Sequence, residues 1–146
     1  MPNASFVPFR TTLLSQTSEH ALRAALFLGR SGATLVAAAD IAAALGTPPN
    51  YTGKILRRLA HKGLLKSVRG PRGGFALRVT PGSLTVSQIL WAVDEPTRAP
   101  TTCLLGNRPC DGAHPCGAHG RWSEIEGRVA ALLNETTIED LLGADP

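Results

Sequence analysis

Cys103, Cys110 and Cys116 fall within fourteen consecutive residues, and the rest of the 146-residue chain has no cysteine. Their spacing is C-x6-C-x5-C, with His119 three positions beyond the last. Thiolates ligate zinc and iron–sulfur clusters. Where thiols stay reduced, such a group points to metal or redox chemistry over a structural disulfide. The intervals are wider than the tight knuckle of a structural zinc site, and a wider loop can wrap something larger than one ion. An iron–sulfur cluster is the expectation, with a zinc site or a metal-free thiol redox switch as the alternatives. His119 is either a fourth ligand or the start of the next helix. His114 reads as loop surface, and His20 and His61 as ordinary helix residues.

A second constellation is cationic. The chain carries a net charge of +4, but unevenly. Between residues 41 and 93 stand Lys54, Arg57, Arg58, Lys62, Lys66, Arg69, Arg72 and Arg78 with no carboxylate, a local charge of +8. Residues 94–146 carry −5, with four arginines against nine acids. A surface evolved only to stay in solution mixes both signs. A long acid-free stretch points to a polyanionic partner, most simply nucleic acid, against the plainer reading of a solvated basic face.

The elements that position these groups are mainly helical. Thr17 or Ser18 can cap a first helix with Glu19 in its first turn, and Ala21, Leu22, Ala25, Leu26 and Leu28 give it an apolar stripe. A second helix is expected from Val36 to Leu45, stopped by Gly46. Thr47-Pro48-Pro49 opens a third, with Thr47 as cap and Pro48 at the first helical position. Tyr51, Ile55, Leu56 and Leu59 form its buried side, and Gly63 closes it. The short turn between the second and third helices is of helix-turn-helix size. Residues 64–68 and 75–79 then alternate around the Gly/Pro-rich run 69–74, which reads as a β-hairpin. A helix-turn-helix followed by a basic-tipped hairpin is a winged helix. A fourth helix is expected over 85–93. Residues 94–120 are rich in Pro, Gly and Cys, and a long loop of this kind is more often functional than accidental. From Arg121 a helical stripe of Trp122, Ile125, Val129, Leu132 and Leu133 returns. Thr136 to Glu139 looks like a capping box before a last turn.

In this frame the third helix is the one that enters the major groove, with its N-terminal residues nearest the bases. Asn50 can pair with adenine, and Lys54 can reach guanine or a phosphate. Tyr51 and Gly53 lie beside them. A glycine costs a helix about 1 kcal/mol against alanine, so Gly53 is either a place of close approach to DNA or a tolerated weak spot. Arg57, Arg58 and Lys62 are suited to phosphates, which position without specifying. Arg69 and Arg72 at the hairpin tip suit a narrow minor groove.

Composition narrows the classes further. No apolar run is long enough to span a bilayer. The opening MPNASFVPFRTTLL has one basic residue and no apolar block before a cleavage site, so no secretory signal is read there. A cytoplasmic, nucleoid-associated protein is expected. There is no Gly-rich phosphate loop, nucleophile elbow or paired carboxylates in a pocket-forming context, so an enzyme is not expected. The rival without DNA is a small redox or assembly factor whose winged helix binds protein.

The runs SQTSEHALRAALFL, PPNYTGKILRRLAHKGLL, SVRGPRGGFAL and LTVSQILWAVDEP, followed by the three-cysteine loop, resemble the Rrf-two superfamily of bacterial transcription regulators over roughly residues 14–142. Its members include an iron–sulfur regulator and a nitric-oxide sensor. The resemblance implies a homodimer held by the long C-terminal helix, a palindromic double-stranded operator, and a cluster that changes DNA affinity, with a repressor as the expected role. It places Asn50, Gly53 and Lys54 at base-reading positions, Arg69 at the wing, and Cys103, Cys110 and Cys116 as cluster ligands. Glu19 from the partner subunit and His119 both occupy fourth-ligand places. The first cysteine interval departs from the family pattern by one residue, which leaves [2Fe-2S] and [4Fe-4S] both open. The implied organisation is a loose arm over 1–14, a winged helix-turn-helix over 15–82, a connecting helix over 83–99, a cluster loop over 100–120, and a dimerisation helix with tail over 121–146.

Overall fold

A computed structural model describes residues 13–94, 104 and 112–143 of the chain. The order is α1 (Gln16–Ser31), α2 (Ala38–Leu45), α3 (Pro49–His61), β1 (Leu65–Val68), β2 (Gly74–Leu77), a 3-10 turn over Pro81–Ser83, α4 (Val86–Val93), α5 (His119–Glu135) and α6 (Ile138–Gly143). This is the expected mainly helical winged helix, with one antiparallel hairpin and a long helix towards the C-terminus.

α1 is the central post. Ala21, Ala24, Ala25 and Leu28 on its inner face are buried, and α2, α3, β2, α4 and α6 pack around it. Three of those four residues are alanines, so neighbouring backbones approach closely without loss of helix propensity. Ile41, Ile55, Leu56, Leu59, Leu65, Phe75, Leu84 and Ile89 complete one core.

The helix ends differ from the sequence reading in instructive ways. Ser15, rather than Thr17 or Ser18, caps α1 by accepting from the Ser18 amide at 3.0 Å. α2 begins at Ala38, not Val36, because Val36 exchanges both backbone hydrogen bonds with Phe75 (2.9 and 2.8 Å) and is held extended beside the hairpin. Pro49, not Pro48, takes the first turn of α3, and the Thr47 hydroxyl lies 2.6 Å from that of Thr52 instead of capping an amide. Thr85 and Gln88 form a capping box on α4. The box of α6 is Thr137 with Asp140, one position beyond the expected Thr136 and Glu139. The Thr137 amide, and next its hydroxyl, donate to the Asp140 carboxylate and hold its pKa below the ordinary value.

The chain end is tied to the same core. Val86 donates to the Thr136 carbonyl and Ile138 to that of Leu84, both at 2.9 Å. Ile138 is fully buried, and α6 lies so close to α1 that a Cβ at Gly29 would stand 2.9 Å from Leu142 Cδ1. α5, by contrast, buries none of its residues.

The hairpin depends on glycine at its return. A Cβ at Gly74 would overlap the Val36 carbonyl oxygen, and the backbone there has φ +152°. Both conditions act against a side chain. Gly74→Ala is expected to lower unfolding stability by about 2–3 kcal/mol, read as a shift of the urea midpoint at unchanged slope. An unshifted midpoint would show that the hairpin is not seated on the segment before α2.

Candidate nucleic-acid interface

α3 is held from three sides so that one face stays open. Ile55, Leu56 and Leu59 bury its inner stripe. Near its start the Tyr51 hydroxyl donates to Thr17 Oγ1 of α1 at 3.2 Å, and the Tyr51 and His20 rings meet edge to face with centroids 5.2 Å apart. In its last turn Arg58 Nη1 donates to the Val93 carbonyl at the end of α4, at 2.9 Å. The outward stripe is Asn50, Lys54, Arg57 and His61, all exposed. No acidic residue stands in the first turn of α3, so the positive end of its dipole is left for an anion.

The wing follows α3, and its β1 packs against that helix. β1 and β2 pair from Leu65 with Leu77 to Val68 with Gly74. Gly73 donates to the Gly70 carbonyl at 2.9 Å, and a Cβ at Gly73 would overlap the Val68 carbonyl oxygen. The tip is thus a tight backbone knot that fixes the roots of Arg69 and Arg72, both exposed, while Val36 anchors the hairpin's other edge to the body.

By sequence, Asn50, Tyr51, Gly53, Lys54, Arg57, Arg58, Arg69 and Arg72 form one DNA-contacting set. The structure leaves Asn50, Lys54 and Arg57 exposed on the outward side of α3, and Arg69 and Arg72 exposed on the wing. It turns the Tyr51 hydroxyl to α1 and one side of the Arg58 guanidinium to α4. Gly53 is buried at the flank of the stripe.

A contact no spacing rule suggests joins distant parts of the chain. Ser15 and Ser18 both donate through their hydroxyls to Asp94 Oδ2, the second at 2.6 Å. Ser18 is only 2% exposed, so its hydroxyl needs that acceptor. The only hint in sequence is that Asp94 is the first acid after the basic stretch.

Of the candidate cluster ligands, Cys103 and Cys110 lie outside the described residues. Cys116 is half-buried in the turn before α5. His119, the first residue of α5, donates its backbone N–H to the Cys116 carbonyl at 3.0 Å, so the two candidate donors share one turn. Glu19 is exposed in the first turn of α1. Among the described residues, no three His, Cys, Asp or Glu side chains group closely enough to hold a metal. No helix among them is long and apolar enough to cross a membrane.

A family described as Rrf2, iron-dependent transcriptional regulator, matches residues 14–144. The chain belongs to the Rrf2 family. An HTH-type transcriptional regulator of Aquifex aeolicus (strain VF5) is 30% identical over 135 residues, covering 91% of this chain and 93% of that one. The HTH-type transcriptional regulator IscR of Enterobacter sp. (strain 638) is 36% identical over 104 residues, 71% of this chain. The aligned part is 63% of the IscR length. The fold matches that of CymR, the global cysteine regulator of B. subtilis, with TM-score 0.78 at 23% identity over 93% of this chain and all of CymR. It also matches T. potens IscR, with TM-score 0.71 at 21% identity over 89% of this chain and 85% of the other. These Rrf2 relatives are transcriptional regulators, not enzymes, and the winged helix of this chain is the DNA-binding architecture of such regulators.

A surface built this way binds duplex DNA largely by counterion release. Affinity for a duplex is expected to fall roughly 10³- to 10⁵-fold between about 50 and 200 mM salt if the protein neutralises about six to ten phosphates. Arg72→Ala should flatten the salt slope by about 0.9 for each phosphate that the arginine neutralises, as read by fluorescence anisotropy. Salt-insensitive binding would remove the electrostatic basis of the interface.

Proposed function

We propose that this chain is a homodimeric repressor that reads a palindromic operator, with an operator affinity governed by an iron–sulfur cluster on Cys103, Cys110 and Cys116. The observation that carries the DNA half is that the α3 stripe of Asn50, Lys54 and Arg57 and the wing arginines Arg69 and Arg72 are all exposed, on a helix and a hairpin whose β1 packs against it, inside a stretch without a carboxylate. Asn50 and Lys54 face base edges, and the wing arginines track the adjacent minor groove.

Dimerisation is supported by the apolar side chains α5 leaves uncovered. Ile125 is 52% and Leu132 59% exposed, on a helix with no buried residue of its own. Isolated exposed leucines need no explanation, but an apolar stripe along a whole helix does. Pairing with a second copy would cover it with two-fold symmetry, and two-fold symmetry in the protein calls for a palindrome in the DNA.

The cluster half rests on donor chemistry. Three thiolates in one short segment, with Cys116 and His119 on one turn, suit an iron–sulfur group. Cys103, Cys110 and Cys116 would hold it, and His119 or the partner subunit's Glu19 would supply the fourth ligand. When bound, such a group supplies a redox- and nitric-oxide-reactive centre whose loss releases its ligands. The chain's own residues would carry the consequence to DNA. Asp94 is the last described residue before the cysteine segment and accepts from Ser15 and Ser18 at the start of α1. Its neighbour Val93 accepts from Arg58 of α3. A displaced loop would therefore pull on the contacts that set the attitude of α3. A signal controls affinity only if its two states bind DNA differently.

Protein purified without oxygen is expected to be brown and to contain iron and acid-labile sulfide, both absent when Cys103, Cys110 and Cys116 are replaced by serine. Comparing Glu19→Ala with His119→Ala by visible absorption identifies the fourth ligand. A colourless protein holding zinc would replace the cluster with a zinc clip. A metal-free protein whose operator affinity survives the triple serine change would end the sensing role.

A further inference from the structure

The least explained residue on the reading face is Gly53. It sits mid-helix, where glycine is unfavourable, at no positive φ. Apart from the backbone of α3 itself, the three atoms nearest to a Cβ built there are Nη1, Nη2 and Cζ of Arg57, at 3.3, 3.8 and 3.9 Å. The guanidinium of Arg57 therefore lies over Gly53, one turn back along α3, and covers it.

This placement changes what Arg57 can do. Helical side chains lean towards the N-terminus, and Arg57 uses that lean to bring its planar head to the N-terminal half of α3, the half nearest base edges in a helix-turn-helix. Its Cα stands on the outward stripe at the i+7 place from Asn50, so its root faces away from the core. Arg58 shows the contrast: on the next position around the helix, it bonds inward to the Val93 carbonyl. A guanidinium seated on a bare helix surface has a defined plane, loses less rotamer freedom on binding, and presents paired donors that match guanine O6 and N7.

We infer that Arg57 is a base-reading residue of this chain, specifying a guanine in each half-site, and that Gly53 serves as the seat that aims it. The inference rests on the DNA-reading function proposed above and reassigns Arg57 from the phosphate role its sequence position suggested.

The test is selection of sites by the full-length chain, purified anaerobically, from a randomised duplex pool, followed by titration of the selected site and its single-base variants at several salt concentrations. The wild type should enrich a guanine at a symmetric position and discriminate against its replacement by about five- to 150-fold. Arg57→Lys keeps the charge but not the fork. It should keep the salt slope and lose discrimination at that position alone. Gly53→Ala should melt no lower than wild type and yet lose discrimination at the same position, a pairing that a merely structural glycine would not give. If Arg57→Lys retains full discrimination at every position, or Arg57→Gln weakens all sequences alike while flattening the salt slope, Arg57 is a phosphate contact and the inference fails while DNA reading stands. If the wild type enriches no motif and binds without salt dependence, DNA reading itself fails, and the inference with it.

Discussion

Everything the reading face can do depends on the packing of α3 against the alanine-lined side of α1. Ala21, Ala24 and Ala25 bring the α1 backbone close to its neighbours, and Ile55, Leu56 and Leu59 fill the space that remains. Interiors of this density transmit displacement instead of absorbing it. α3 is therefore not a free rod carrying charges but one wall of the core. Its outward stripe inherits the rigidity of its inward one. The hydrogen bonds from Tyr51 to Thr17 and from Arg58 to Val93 pin both ends of that wall, and they are placed where side-chain packing alone would leave rotation about the helix axis.

The same wall explains how the chain tolerates a net +8 between residues 41 and 93. Its cations stand on the outside of α3 and on the wing, none within the core, so their mutual repulsion is screened by solvent. Four of the acids stand where helix dipoles welcome them: Glu19 and Asp40 lie in the first turns of α1 and α2, and Glu139 and Asp140 in that of α6. α3 alone among the longer helices of the winged body begins with no acid and no side-chain cap. That costs some helix stability. A surface meant to meet phosphates explains why the cost is tolerated.

Most of this architecture is legible in the residues. The apolar periods mark α1, α3, α4 and α5, and Gly70 to Gly74 mark the hairpin, because periodicity and turn chemistry are local properties. The differences arise where a distant partner decides. Val36 fits a helix by its neighbours, yet its backbone pairs with Phe75. Ser18 could cap, yet its hydroxyl belongs to Asp94, 76 residues away. Tyr51 lies on the buried period of α3 and also neighbours the base-reading positions in sequence, yet its hydroxyl goes to Thr17 of α1. Arg57 and Arg58 look interchangeable as adjacent arginines, but they are about a hundred degrees apart around the helix. Only the folded chain shows one head lying over Gly53 and the other turned to Val93. Cys103 and Cys110, the residues most suggestive in sequence, lie outside the described residues.

Asp94 is the joint between the first helix, the reading helix and the cysteine segment. It accepts from two serines at the start of α1, so its carboxylate sits at the positive end of that helix, bonded there to the buried Ser18. Val93 beside it is the acceptor for Arg58. Two consecutive residues thus bind α1 and α3 to the point where the chain departs for its cysteines. Short side chains make this joint, and short side chains allow little play: a hydrogen bond from serine weakens steeply when its geometry is bent. Under the proposed sensing role, a small shift of the departing chain is then enough to alter how α3 is held. No long-range rearrangement of the core is required, which fits a body whose packed interior has no slack to give.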